Sequence, residues 1–168
     1  MSFKSALTLI LLITAVLISG CIFDKDKENT NTTTKSDLIP TTNLPEGFKY
    51  MGTHDTPIYF VTPSINATEG VYRTNKGEDA YIQVIENDKP EALVTQYKQQ
   101  YKNYNYDPFL EIYLNGHKAT QITDYTTING KQQPTYAVIW ATEKAMILAT
   151  SPTADAQTVM ALASATKS

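Results

Sequence analysis

The segment LEIYLNGHKATQITDYTTINGKQQPTYAVIW, Leu110 to Trp140, decides the fold. It contains two Asn-Gly pairs, Asn115-Gly116 and Asn129-Gly130, each set between runs of β-prone residues. Asn-Gly tolerates the left-handed backbone that both central positions of a two-residue type I′ turn require, so each pair marks a tight hairpin. Two-residue loops fix the register. Leu114 falls opposite His117, Ile112 opposite Ala119, and Ile128 opposite Lys131. Carried through the second hairpin, the register sets Ala119 opposite Trp140. One face is then expected to hold Leu110, Ile112, Leu114, Ala119, Val138 and Trp140, with the small Ala119 leaving room for the indole.

Downstream, Tyr136–Ala141 (YAVIWA) and Ala145–Ala149 (AMILA) are apolar on both faces, the pattern of strands covered from both sides. After Ser151-Pro152, the residues Ala156, Val159, Leu162, Ala163 and Thr166 recur at helical spacing. Upstream, Asp88-Lys89-Pro90-Glu91 reads as a helix start with Asp88 as N-cap and proline in the first turn. Leu93, Val94, Tyr97 and Tyr101 follow on one face. Phe48 to Tyr50 and Ile58 to Val61 read as two short strands broken by Gly52 and Pro57. Val71 to Thr74 and Ala80 to Glu86 form a hairpin around Asn75-Lys76-Gly77. The expected layout is ββββ–α–ββββ–α, an α+β fold with an antiparallel sheet of about seven to eight strands and helices on opposite faces.

The length of 168 residues accommodates one ordinary domain and argues against two independent cores. Its first twenty residues read as a targeting segment. Met1 to Lys4 carry one positive charge, and Ala6 to Ile18 run thirteen residues without a charge. That is the length of a signal-peptide core, whereas a membrane-spanning helix needs about 20 apolar residues. The run ends in Leu17-Ile18-Ser19-Gly20-Cys21, which resembles the lipobox of prokaryotic lipoproteins. The resemblance implies cleavage between Gly20 and Cys21, lipid attachment to the Cys21 thiol, and anchoring on the outer, extracytoplasmic face of the cell membrane. Two acyl chains are what stable anchoring takes.

Residues 21–43 are charged, Thr/Asn-rich and almost without aliphatic content, the composition of a flexible tether. Asn31 and Asn66 head N-glycosylation sequons. The domain is expected over 44–168. Its LPEGF opening (Leu44 to Phe48), the stretch Ile112 to Ala119, the strand centred on Trp140, and Ser151 to Ala156 leading into a helix resemble the Mog1/PsbP-type α/β/α sandwich. They also resemble uncharacterised extracytoplasmic domains of prokaryotic lipoproteins. Members of that fold with known roles act as accessory or partner-binding proteins with unrelated partners, so no functional residue carries over.

Chemistry is sparse. A net charge of −3 removes the electrostatic case for nucleic-acid binding, since no basic excess exists to neutralise phosphates. One cysteine forms no internal disulfide, and one cysteine with two histidines is too few for a structural zinc site. No G-x-S-x-G, P-loop or dinucleotide fingerprint is present, and no cofactor is implied. His54-Asp55 and His117 would ligate a metal only if their loops converged; each sits beside a turn, an ordinary exposed setting, and no metal site is expected. The acids Glu78, Asp79, Asp107 and Glu111 read as solvated or turn-stabilising groups.

The tyrosines stand out. Tyr97, Tyr101, Tyr104, Tyr106 and Phe109 fall within thirteen residues. Tyrosine and asparagine together favour recognition surfaces, making Tyr101, Tyr104 and Tyr106 candidate partner-binding residues. The competing reading, which takes precedence, places Tyr97 and Tyr101 in the helix–sheet core and Tyr104 and Tyr106 on a loop covering it. The resulting expectation is a lipid-anchored binding or accessory module without catalysis, contacting a protein or envelope polymer. The alternatives are a surface-polymer hydrolase and a carrier of hydrophobic ligands. Ala156, Ala161, Ala163 and Ala165 count against the carrier, because small residues pack a helix closely onto its sheet.

Overall fold

The computed structural model describes residues 38–168. In chain order these form β1 (Phe48–Ile58), β2 (Ile65–Thr74), β3 (Asp79–Glu86), α1 (Pro90–Gln99), β4 (Phe109–Leu114), β5 (His117–Ile128), β6 (Lys131–Ala141), β7 (Ala145–Ser151) and α2 (Ala156–Ser164). The strands make one sheet in the order β1-β2-β3-β7-β6-β5-β4, and every neighbouring pair is antiparallel. Two meanders, β1 to β3 and β4 to β7, are therefore joined by α1 so that the last strand lands beside β3. The fold is α+β.

The register read from the Asn-Gly pairs is present throughout. Leu114 pairs with His117, Ile112 with Ala119, Ile128 with Lys131 and Ala119 with Trp140. Asn115 and Asn129 take φ of 50° and 51°, and Gly116 and Gly130 follow at 85° and 74°, as a type I′ turn demands. Ala119 and Trp140 are both buried, so the small residue does leave space for the indole. Leu110 shares their face but is 58% exposed, because β4 is an edge strand and the core stops short of it.

Two apolar clusters hold the sheet. The first includes Ala80, Ile82, Leu114, Val138, Trp140 and, from α2, Leu162. The second includes Ile85, Ile122, Ile139 and, from α1, Leu93 and Val94. Strand β7 feeds both. Ala145, Ile147 and Ala149 belong to the first cluster, and Met146 and Leu148 to the second. Alternate residues of a strand point to opposite faces, so the two helices lie on opposite faces of β7. This is why AMILA lacks polar alternation. Each large aliphatic side chain so buried contributes about 1.5–3 kcal/mol.

Three local features differ from the sequence reading. Phe48–Ile58 is one strand, so three strands rather than four precede α1. Gly52, at φ 144°, absorbs a bulge at Met51 where the register with β2 shifts, and Pro57 is tolerated because β1 is an edge strand. The N-cap of α1 is Lys89, without a side-chain cap, instead of Asp88. Asn87 Oδ1 accepts the Lys89 N–H at 2.8 Å, closing the preceding turn, and Pro90 supplies a helix-ready φ at the first position. α2 has the cap that α1 lacks, the Asp155 carboxylate accepting the Thr158 N–H at 2.8 Å. Lastly, Leu38 and Ile39, assigned to the tether by composition, are buried in the first cluster. The Tyr72 hydroxyl donates to the Pro40 carbonyl at 3.0 Å and holds this segment over β2. Packed chain thus begins before Leu44.

Candidate functional site

The tyrosine-rich segment runs from the last turn of α1 into β4. Tyr97 and Tyr101 pack against the second cluster beside Phe60 and Phe109, as the packing reading expected. Ring contacts then continue outward. Tyr101 meets Tyr104 at 5.0 Å between centroids, Tyr104 meets Tyr106 at 5.3 Å, and Tyr106 meets Tyr125 at 5.7 Å. The outer three rings are partly open to solvent: Tyr104 is 42% exposed, Tyr106 38% and Tyr125 50%. The segment is therefore buried at one end and open at the other.

The open end is organised by one carboxylate. Tyr106 donates its hydroxyl to Asp124 Oδ1 at 3.0 Å, and Tyr104 donates to Oδ2 at a longer 3.5 Å. The Tyr125 N–H donates to Oδ1 at 2.7 Å. Partial burial, with the bond to Asp124 and its charge, pushes the Tyr106 hydroxyl up to about 12, and the same causes raise Tyr104. Both tyrosines stay neutral near pH 7, and their rings are fixed in a ledge. The inner flank is tied by Lys98, whose Nζ lies 2.7 Å from Glu111 and 5.3 Å from the centroid of the Phe109 ring.

Sequence reasoning singles out neither Asp124 nor Tyr125. The signal lies in the Asn115-Gly116 register: Phe109 pairs with Ile122, which brings Asp124, two residues on and on the same face, beside the tyrosine loop, while the second hairpin sets it opposite Thr135. A depression of about 490 Å³ lies on that same face, with Glu69, Tyr81, Gln83, Thr135 and Thr150 in its lining. The Glu69 side chain is only 11% exposed. It accepts from Gln83 Nε2 at 2.6 Å and lies 3.1 Å from His54 Nε2.

The other sequence candidates separate. His54 is on β1 and His117 on β5, five strand spacings or about 24 Å apart across the sheet, so they do not converge. Among the described residues no group of three or more His, Cys, Asp or Glu is placed to hold a metal. Glu78 and Asp79 serve the β2–β3 turn: Thr74 Oγ1 donates to Glu78, and Arg73 Nε to Asp79 at 2.7 Å. Asp107 Oδ1 accepts the Phe109 N–H at 3.0 Å, the turn role expected for it. Asn66 is exposed on β2. Gly20, Cys21 and Asn31 lie outside the described residues. No described helix is long and apolar enough to cross a membrane. Comparison with family models, curated proteins and solved structures returned no match.

Proposed function

We propose that the chain is a lipid-anchored extracytoplasmic lipoprotein, a binding or accessory module that contacts a protein or envelope partner through the ledge of Tyr104, Tyr106 and Tyr125. The domain is read as an α/β/α sandwich of the Mog1/PsbP type, supported by the two apolar clusters with one helix in each. Attachment to the membrane rests on Cys21 in its lipobox-like setting. The observation that carries the binding role is a set of three exposed rings, two of them held through their hydroxyls by one carboxylate and the third, Tyr125, packed edge-on against Tyr106. Tyrosines fixed before contact lose little side-chain entropy when a partner arrives, and they offer large amphipathic area.

The hydrolase alternative has one supporting contact, His54 against Glu69 beside the depression. Gln83 Nε2 donates to the second carboxylate oxygen, so both oxygens of Glu69 are already engaged within the domain. A photo-crosslinking amino acid placed at position 106 in cells tests the binding role, with position 51 as control. Met51 is exposed on β1, at the opposite edge of the sheet from β4. A discrete adduct from position 106 and none from position 51 is expected. Equal labelling from both positions contradicts the assignment.

A further inference from the structure

We infer that the tyrosine ledge and the depression beside it form one trough that holds an uncharged oligosaccharide, an inference that rests on the reading of the chain as a binding module. The two features are continuous through the strand register. Asp124 pairs with Thr135, and Ala137, two residues on, pairs with Thr150. Thr150 pairs with Tyr81, and Gln83, two residues on, pairs with Glu69. Cross-strand partners and residues two apart share a face, so the tract runs unbroken from β2 to β5. Four strand spacings make it about 19 Å long, enough for a short oligomer and too long for a single small metabolite. α1 covers only the far end of this face, near Ile85, Leu93 and Met146.

The chemistry along the tract changes in a way that suits sugars. One end offers tyrosine rings, flat surfaces against which the C–H face of a pyranose lies. The other end offers carboxylate, amide and hydroxyl groups that donate to and accept from ring hydroxyls. Charge narrows the class. The lining of the depression and the ledge hold Glu69 and Asp124, and the cations beside them, Arg73 and Lys98, are tied to Asp79 and Glu111, which opposes a phosphorylated or otherwise anionic polymer. A hydrophobic ligand would strip water from these polar groups without replacing their bonds. A polycation is less suited as well, because both carboxylates are already engaged. Glu69 is held by Gln83 and lies against His54, and Asp124 is held by Tyr104, Tyr106 and the Tyr125 amide. A polycation would have to displace these donors, whereas a hydroxyl donor can use the lone pairs that remain.

Isothermal titration of the detergent-solubilised full chain tests this. The titrants are the neutral oligosaccharide fraction released from protease-treated source envelopes, the glycan-free envelope protein fraction, and poly-lysine. Saturable binding of the neutral fraction is expected, weakened about tenfold by Tyr106→Ala and by Gln83→Ala, and retained in Tyr106→Phe, which keeps the ring. Glycan binding unchanged by both alanine variants overturns the trough. Tyr106-dependent binding of protein or poly-lysine without glycan overturns the sugar inference and leaves the binding module standing. No binding of any titrant overturns both.

Discussion

Gly70→Ala is the substitution that most sharply probes how the packed chain begins. Gly70 lies on β2 beneath the segment that starts at Leu38, and it is buried. A Cβ there would stand 2.6 Å from Ile39 Cγ2 and 2.9 Å from the Tyr72 hydroxyl. Two routes relieve the clash. Lifting the segment forfeits the burial of Leu38 and Ile39, about 1.5–3 kcal/mol each, and the Tyr72–Pro40 hydrogen bond, about 1 kcal/mol. Shifting the two side chains in place is an overpacking cost of about 1–3 kcal/mol and therefore the cheaper route. The smaller conformational entropy of an unfolded alanine chain returns about 0.4–1 kcal/mol. The central values leave a net cost of about 1.3 kcal/mol, and thermal denaturation should register a fall of roughly 4 °C for each kcal/mol in a domain of this size. Ile39→Ala removes the nearest colliding atom, so Gly70→Ala should cost less in that background than in the wild type. An unchanged melting temperature, or costs that simply add, would refute the placement of Leu38 and Ile39 against β2.

Four further outcomes follow from the same structure. Ala119→Leu, directly opposite Trp140, should destabilise by about 1–3 kcal/mol in urea titration, since both residues are fully enclosed. Asp155→Ala should cost about 1 kcal/mol through loss of the α2 cap. Acid should act through the same group: the Thr158 backbone N–H holds Asp155 below the usual carboxylate range, as the Lys98 bond does Glu111 and the Arg73 bond Asp79. Depressed folded-state values give stability that is complete above the unfolded values and lost as pH falls through the folded ones, so the melting temperature should drop below about pH 4, and less steeply in Asp155→Ala. Tyr106 has the opposite sign. Its hydroxyl is raised from 10.0 to about 12, so its contribution is complete below 10.0 and lost as pH rises through 12. A tyrosinate absorbance titration should show a late step that moves to lower pH in Asp124→Asn.

The hairpins are legible in the sequence because Asn-Gly is a local signal: backbone geometry at two residues fixes the register for the strands on either side. That is why the Ala119–Trp140 pair follows from the turn residues and a residue count alone. The double-sided burial of Tyr136–Ala141 and Ala145–Ala149 is legible for a similar reason, since missing alternation is visible in a single strand. Leu38 and Ile39 are not, because two apolar residues in a polar stretch form no periodic pattern, and their burial depends on the absence of a side chain at Gly70, far along the chain. Strand β1 reads as two pieces because Gly52 and Pro57 are breakers in isolation, whereas a bulged edge strand accommodates both. At the site, the tyrosine run is conspicuous but its partner is not. Asp124 and Tyr125 reach the ledge through pairing of β4 with β5, a relation between segments and not a property of either.

The binding role is tested most directly by sedimentation of the detergent-solubilised full chain with intact, protein-containing cell envelope, comparing wild type with Tyr104→Ala/Tyr106→Ala. Removing two exposed rings should leave the melting temperature within a few degrees, since neither belongs to a core cluster. The expected result is saturable association of the wild type and affinity lower by about tenfold or more in the variant. Identical isotherms for the two proteins, with both folded, would contradict a ledge built for recognition.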